Sequence, residues 1–437
     1  MIKQRIGQVI AFALICAVAA TVIVMQTPAG RAAYHVADFR IRRWQIQQWG
    51  RPAIPPEQRG GLAGRVVGPD GQPLSGAVVL VAEATGETHY DYTDLDGRYE
   101  ITGAPAGRYV PLAAAWGYRP QARPAIRVRP GAILEPIDFS LEPRRPFSAP
   151  TTIPVTITER TVVTGTFPSP DVQAERIGFR FFRAGVEVAV DQVFQPVGQR
   201  SPGPTLVMAF PSHEPHWDPP AIAFASQGFT VLSVKPVMAH GWLDIQAHAE
   251  DLQAAVTLLT SGALTPAADP QRMAWLAGSF STLFMYLVLP DHPEVRAVIT
   301  VGGISDAFLG VEALYEESLE IPERFRLAVA SLGRPDRDPA FFMQYSPAFF
   351  AAHMPPTLVV HTPVDRVIPY NQSVRFAQAL ANAGIPHELI LYQDTTHYLN
   401  AANPSPEGIA VFWRMIEFLT QTLSPISSPR DEAQTAP

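Results

Sequence analysis

The chain has 437 residues, nearly half of them apolar, enough for two or three domains and at least one large core. Its formal net charge is −7 and no basic block stands out, which argues against nucleic acid as a partner. The single cysteine, Cys16, excludes an intrachain disulfide and a cysteine metal site.

Lys3 and Arg5 precede an uncharged apolar run from Ile6 to Met25. A helix of about 20 such residues extends roughly 30 Å, long enough to cross a bilayer. Residues 1–33 are therefore expected to form a retained transmembrane signal anchor, with cleavage near Thr27-Pro28-Ala29 as the lesser alternative. Cys16 follows Ile15, where a lipoprotein signal would want a small residue, so no lipid anchor is expected. Arg31, Arg40, Arg42 and Arg43 compete with Lys3 and Arg5 under the positive-inside rule. The charge count leaves the topology open, and the extracytoplasmic placement of the domains follows only from what is usual for one amino-terminal anchor. Residues 34–60 read as a juxtamembrane connector, a solvated helix touching the headgroups and ended by the Pro-rich piece Arg51–Pro56.

Residues 61–143 read as a small all-β module, in which the short runs Val78–Ala82, Tyr99–Ile101, Ile126–Val128 and Ile137–Leu141 alternate with turn signals such as Pro69-Asp70-Gly71 and Asp96-Gly97. The pair Gly64-Arg65-Val66-Val67-Gly68-Pro69-Asp70-Gly71-Gln72-Pro73-Leu74-Ser75-Gly76-Ala77 and Thr93-Asp94-Leu95-Asp96-Gly97-Arg98-Tyr99 resembles the carboxypeptidase regulatory-like, transthyretin-type β-sandwich. That resemblance implies a spacer or binding platform, which leaves a protein or glycan partner open. Asp94 and Asp96 are read as turn residues in preference to calcium ligands.

A Pro- and Arg-rich linker over residues 144–154 leads into a catalytic domain over residues 155–423, before a tail (424–437) expected to be disordered. Val155–Phe167 and Arg176–Phe194 look like an antiparallel sheet edge, the second folding back around Arg183-Ala184-Gly185. Strands are expected at Thr205–Phe210, Thr230–Val234, Met273–Leu276, Ala297–Val301, Thr357–His361 and His387–Leu391. Helices are expected at Pro220–Ser226, Ile245–Thr260, from Ser281, Gln372–Ala383 and Gly408–Leu419. Continuous apolar strands with intervening helices imply a mostly parallel sheet covered on both faces. A helical insertion over about 306–353 interrupts the rhythm, and its aromatics Phe308, Phe341, Phe342, Phe349 and Phe350 either pack a core or line an apolar acyl pocket.

The stretch that carries chemistry is Ala277-Gly278-Ser279-Phe280-Ser281, where an apolar run breaks into small residues before a second apolar run with helical spacing. It resembles the α/β-hydrolase nucleophile elbow Gly-x-Ser-x-Gly, with Ala277 and Ser281 in place of the outer glycines. Asp365, in Asp365-Arg366-Val367-Ile368-Pro369, and His397, in Thr395-Thr396-His397-Tyr398, follow later strands. Their order matches the α/β-hydrolase arrangement, and the phrases resemble prolyl-oligopeptidase-type and dienelactone-hydrolase-type domains. The resemblance implies an α/β-hydrolase fold and a Ser279, Asp365, His397 triad acting through an acyl-enzyme. It also implies an oxyanion hole from the N–H of Phe280 and a donor at Ser212 or His213, since Pro211 has no N–H to give. Ser281 as nucleophile in a shifted register, and Asp306 or Asp394 as the acid, remain alternatives at this stage. No cofactor and no metal are expected; His213-Glu214-Pro215-His216 and His240 match no helix-face ligand pair.

These readings converge on a membrane-anchored serine hydrolase cleaving a small ester or peptide/amide bond. The alternative is a membrane-tethered binding or scaffold protein with a catalytically degenerate hydrolase domain, motivated by the irregular elbow and oxyanion loop. A metal-dependent hydrolase comes third.

Overall fold

The computed structural model describes residues 27–51, 53–147, 153–212, 217–316, 321–393, 397, 399 and 404–424. The apolar run Ile6–Met25, the tail after Ser424, and His213 and Asp394 lie outside the described residues. Among the described residues no helix is long and apolar enough to cross a membrane. The chain divides into two units, one from the described residues of Met1–Ala114, Pro120–Leu141 and Phe308–Phe342, the other from those of Ala115–Arg119, Glu142–Ala307 and Met343–Pro437.

In the first unit two four-stranded sheets form the expected β-module. Arg59–Val67 is flanked by Phe139–Ser140 and Arg98–Pro105 in one sheet, and Val78–Ala82 by Thr88–Tyr92 and Leu112–Ala114 in the other. Val78–Ala82 is buried at every residue, while Arg98–Pro105 turns Tyr99 and Ile101 inward in alternation with exposed neighbours, as a half-covered strand does. The Asp94 carboxylate accepts the N–H groups of Asp96 and Arg98 at 2.9 and 2.8 Å, so it serves as a turn residue.

Two expected boundaries differ from this structure. The helix expected in the connector starts ahead of residue 34: it runs Pro28–Trp49 and is capped by Thr27, whose Oγ1 accepts the Gly30 N–H at 3.0 Å. It is docked: Phe39 is buried with its ring 5.2 Å from Tyr315, Arg334 reaches Asp38 at 3.2 Å, and Arg43 reaches Glu323 at 3.0 Å. The insertion is helical as expected (Ala307–Leu314, Glu323–Ser331, Pro339–Met343), yet Phe308–Phe342 groups with the first unit, because its apolar side chains are matched by that helix. Phe308, Phe342 and Phe349 are buried, so core packing takes the insertion's aromatics.

The second unit is built on a ten-stranded sheet. Its strands are β1 (Val155–Gly165), β2 (Val172–Arg183), β3 (Val186–Val188), β4 (Gln192–Gln195), β5 (Gly203–Ala209), β6 (Thr230–Val234), β7 (Ala268–Gly278), β8 (Val295–Val301), β9 (Thr357–His361) and β10 (His387–Leu391). Their spatial order is β1-β2-β4-β6-β5-β7-β8-β9-β10, with β3 pairing β2. β1, β2 and β4 run antiparallel, and β5 through β10 are parallel. The tight return from β2 to β3 falls at Ala184 and Gly185, both at positive φ, as the turn signal predicts.

The covering helices are α1 (Asp218–Ser226), α2 (Ile245–Thr260), α3 (Ser281–Val288), α4 (Asn371–Asn382) and α5 (Pro406–Leu423). One core cluster joins Met208, Leu276 and Val301 of the sheet to Phe224 of α1 and Phe412 of α5. β6 and β9 are buried at every residue, the mark of a parallel sheet covered on both faces. The chain lays β6 on one side of β5 and β7 on the other, and open sheets of this kind carry their sites outside the carboxyl ends at such a reversal.

Candidate active site

Ser279 stands immediately after β7. Its φ is +52°, a conformation that costs an L-residue on the order of 1 kcal/mol, and α3 begins two residues later. Small neighbours make the turn possible. The Ser279 N–H is held by the Val301 carbonyl at 2.9 Å. The Ser281 hydroxyl donates to Ala209 O at 2.6 Å and accepts the Gly278 N–H at 3.0 Å, so serine in place of the second outer glycine ties the elbow to β5. Fully buried and bonded in this way, Ser281 is not available as a nucleophile in a shifted register.

The folded chain brings Ser279, His397 and Asp365 together. His397 Nε2 lies 2.9 Å from Ser279 Oγ, and His397 Nδ1 lies 2.7 Å from Asp365 Oδ2. All three residues are buried. Asp365 Oδ1 accepts the N–H groups of Val367 and Ile368 at 2.7 and 2.8 Å. Burial alone would raise the Asp365 carboxyl, but hydrogen bonds from His361 and His397, the charge on His397 and the Val367 N–H outweigh it and hold it below its ordinary value. With the carboxylate ionised, Nδ1 of His397 carries the proton and Nε2 is free to accept one from Ser279. Asp306, one of the two other acids considered, pairs instead with Arg375 at 3.6 Å.

Two residues of this site escaped the sequence reading. His361, the last residue of β9, places Nε2 3.1 Å from Asp365 Oδ2 and 3.0 Å from Ile368 O, while its Nδ1 meets Ser373 Oγ at 2.6 Å. Two acceptors around Nε2 assign the proton there, so His361 donates to the same oxygen as His397. Gly302 follows β8 at φ +55°, and a Cβ there would stand 3.2 Å from the His397 carbonyl and 3.5 Å from Asp365 Oδ2. The adjacent glycines Gly302-Gly303 at a strand end were the available signal. For His361 there was none, because a strand-end histidine reads equally well as core.

Phe280, next to Ser279, precedes the first turn of α3, where the helix dipole favours negative charge. Its ring is stacked by Trp242 at 5.1 Å and met edge-on by His248, whose burial lowers its basicity. Across the site, the loop after β5 is closed on itself: Trp217 Nε1 donates to Ser212 Oγ at 2.8 Å, and the Phe210 and Trp217 rings stack at 5.4 Å. Asp218, at the start of α1, is paired at 2.6 Å with the buried Lys235. His240 lies 3.1 Å from Asp251, in an ion-pair arrangement with Arg183 nearby. Among the described residues, the set of carboxylates and imidazole close enough to hold an ion is Glu83, Glu87 and His89 of the first unit, where His89 Nε2 already contacts Glu83 at 3.1 Å.

Residues 244–425 match the model of the prolyl oligopeptidase family, and residues 61–142 that of the carboxypeptidase regulatory-like domain. The chain is a serine hydrolase. Among solved structures, the hydrolase is similar to the acylaminoacyl peptidase of Pyrococcus horikoshii, at 15% identity and a TM-score of 0.48, over 83% of this chain and 64% of that one. It is similar to a puromycin-hydrolyzing peptidase of Mycobacterium tuberculosis at 17% identity and a TM-score of 0.43, over 83% of this chain and 54% of that one. Esterase 2 of Thermogutta terrifontis is similar at 17% identity and a TM-score of 0.43, over 56% of this chain and 94% of that one. No curated protein matched the chain.

Proposed function

We propose that the chain is a membrane-anchored serine hydrolase that cleaves an ester or peptide/amide bond through Ser279, His397 and Asp365. The observation that carries this reading is the continuous contact from hydroxyl to imidazole to carboxylate, 2.9 and 2.7 Å. His397 Nε2 takes the proton as Ser279 Oγ attacks the carbonyl carbon, and Asp365 stabilises the imidazolium. The oxyanion would be met by the Phe280 N–H and a donor at Ser212 or His213. His397 then returns the proton to the leaving group, and water enters by the reverse path to release the acid. Treatment with a fluorophosphonate probe tests the assignment: labelling is expected in the intact protein and absent in Ser279→Ala and His397→Ala. Labelling that survives either change would refute it.

The anchor is supported by the uncharged run Ile6–Met25 after Lys3 and Arg5, and the domains are placed outside the cytoplasm by the usual behaviour of one amino-terminal anchor. Protease protection in sealed membranes, with carbonate extraction, reads both properties; extraction into the soluble fraction would remove the anchor. The β-sandwich would then serve as a platform for a protein or glycan partner. The scaffold alternative draws its support from Pro211, which withholds one N–H from the loop expected to face the oxyanion. Turnover of a p-nitrophenyl ester that disappears in Ser279→Ala excludes it.

A further inference from the structure

Beneath the elbow, between β5, β7 and β8 on one side and α1 and α5 on the other, lies a cavity of about 80 Å³. Each of the three segments that carry the site contributes to its wall: Gly278 directly precedes Ser279, Pro211 opens the oxyanion loop, and Leu399 stands two residues past His397. Among the described residues its lining is almost wholly apolar, and includes Trp217, whose indole N–H is turned away to Ser212. Interiors packed at crystal density keep few gaps larger than a water, so an apolar gap of this size beside the site is space the packing leaves open. Gly278 lies outside the positive-φ region, and a Cβ on it would meet only Val301 O at 3.4 Å. The backbone therefore does not demand glycine there. What the missing side chain provides is space on the face it shares with Leu276, which also lines the cavity.

We propose that this cavity receives the alkyl group of the leaving alcohol of an ester substrate, a limb of about three or four carbons; the proposal rests on the hydrolase reading above. The leaving oxygen must lie beside His397, which protonates it, and Leu399 belongs to the same loop. A peptide limb would bring amide groups against the apolar side chains of the described lining, at a cost that an alkyl chain does not incur. The volume is about half that of a cavity known to hold benzene, which sets the limb's length. In the reaction the bond from Ser279 Oγ to the acyl carbon forms and the carbon–oxygen bond to the alcohol breaks. The serine proton passes through His397 Nε2 to the departing alkoxide, and the alcohol leaves the cavity before water attacks the acyl-enzyme. The alcohol therefore acts on acylation and not on deacylation.

The test is kcat/KM of the full chain on acetates of methanol, ethanol, propanol, butanol and hexanol, beside methyl esters of acids of matching length. Activity should rise roughly fourfold per methylene of the alcohol, then stop near propyl or butyl. Met415→Phe, which fills the cavity from α5, should move the stop one or two carbons earlier; Phe412→Leu should move it later. A flat alcohol series, or selectivity that follows the acyl chain, in protein that still labels with fluorophosphonate overturns the cavity assignment alone. Absence of labelling overturns the hydrolase reading and the assignment together.

Discussion

At the scale of single residues, the candidate site combines a strained serine with a carboxylate fixed from several directions. Ser279 at φ +52° pays for its exposure to the imidazole with backbone strain. Ser279→Ala and Ser279→Gly should both lose activity by about 10⁴-fold or more, yet the glycine variant should be about 1 kcal/mol the more stable, because only glycine takes that conformation freely. Paired thermal melts read the difference. His361 acts on the reaction through Asp365, as a positioning residue. His361→Phe removes a charge-assisted hydrogen bond, so kcat should fall about 10- to 100-fold with little change in KM. The same change has a signature in stability. A carboxyl whose folded pKa lies below its unfolded value, as at Asp365, contributes stability that is present above the unfolded value near 3.8 and lost as pH falls through the folded one. The intact protein should therefore lose more stability below about pH 4 than His361→Phe does.

At the scale of elements, the carboxyl end of β6 carries an unusual burial. Asp191 is fully buried, accepts the Lys235 N–H at 2.9 Å, and has one oxygen without a partner among the described residues. Burial pushes its carboxyl up to about 8 despite that hydrogen bond, so it is protonated in the folded chain at neutral pH. A folded pKa above the unfolded one gives stability that is full below the unfolded value and is lost as pH rises toward the folded value. Asp191→Asn should thus match the intact protein near pH 4 and exceed it progressively up to about pH 8. Urea melts across that range measure it, and a constant difference with pH would contradict it. The neighbouring parallel strands explain why element types were readable: Thr230–Val234, Thr357–His361 and His387–Leu391 have the bounds that their apolar runs suggest, as does the helix Ile245–Thr260. Ends were read less well where polar residues extend the ladder, as in β7, which starts at Ala268 and not at Met273.

At the scale of the whole molecule, the first unit draws on three stretches of chain, and its helix Pro28–Trp49 is held by one deeply buried aromatic, Phe39. Phe39→Ala should cost the first unit about 3 kcal/mol. Calorimetry should show the corresponding transition moving down, and an unaltered thermogram would mean that the helix is held by other contacts. Local propensity could not reveal this docking. A 22-residue helix with arginines on several sides reads as solvated, and only the distant segment Phe308–Phe342 supplies the surface that buries Phe39.

The amino-acid sequence by itself determined the alternation of strands and helices, the β-sandwich turns and the strand-to-helix turn at Ser279, because these depend on periodicity and turn chemistry within a few residues. Tertiary structure decided the rest. Contacts across 118 and 32 residues of chain join Ser279 to His397 and His397 to Asp365, and the same closure puts His361 and Gly302 beside them. It also leaves an apolar cavity under the elbow, a property of how α1 and α5 fail to fill the face of the sheet, and one that local patterning in the chain does not encode.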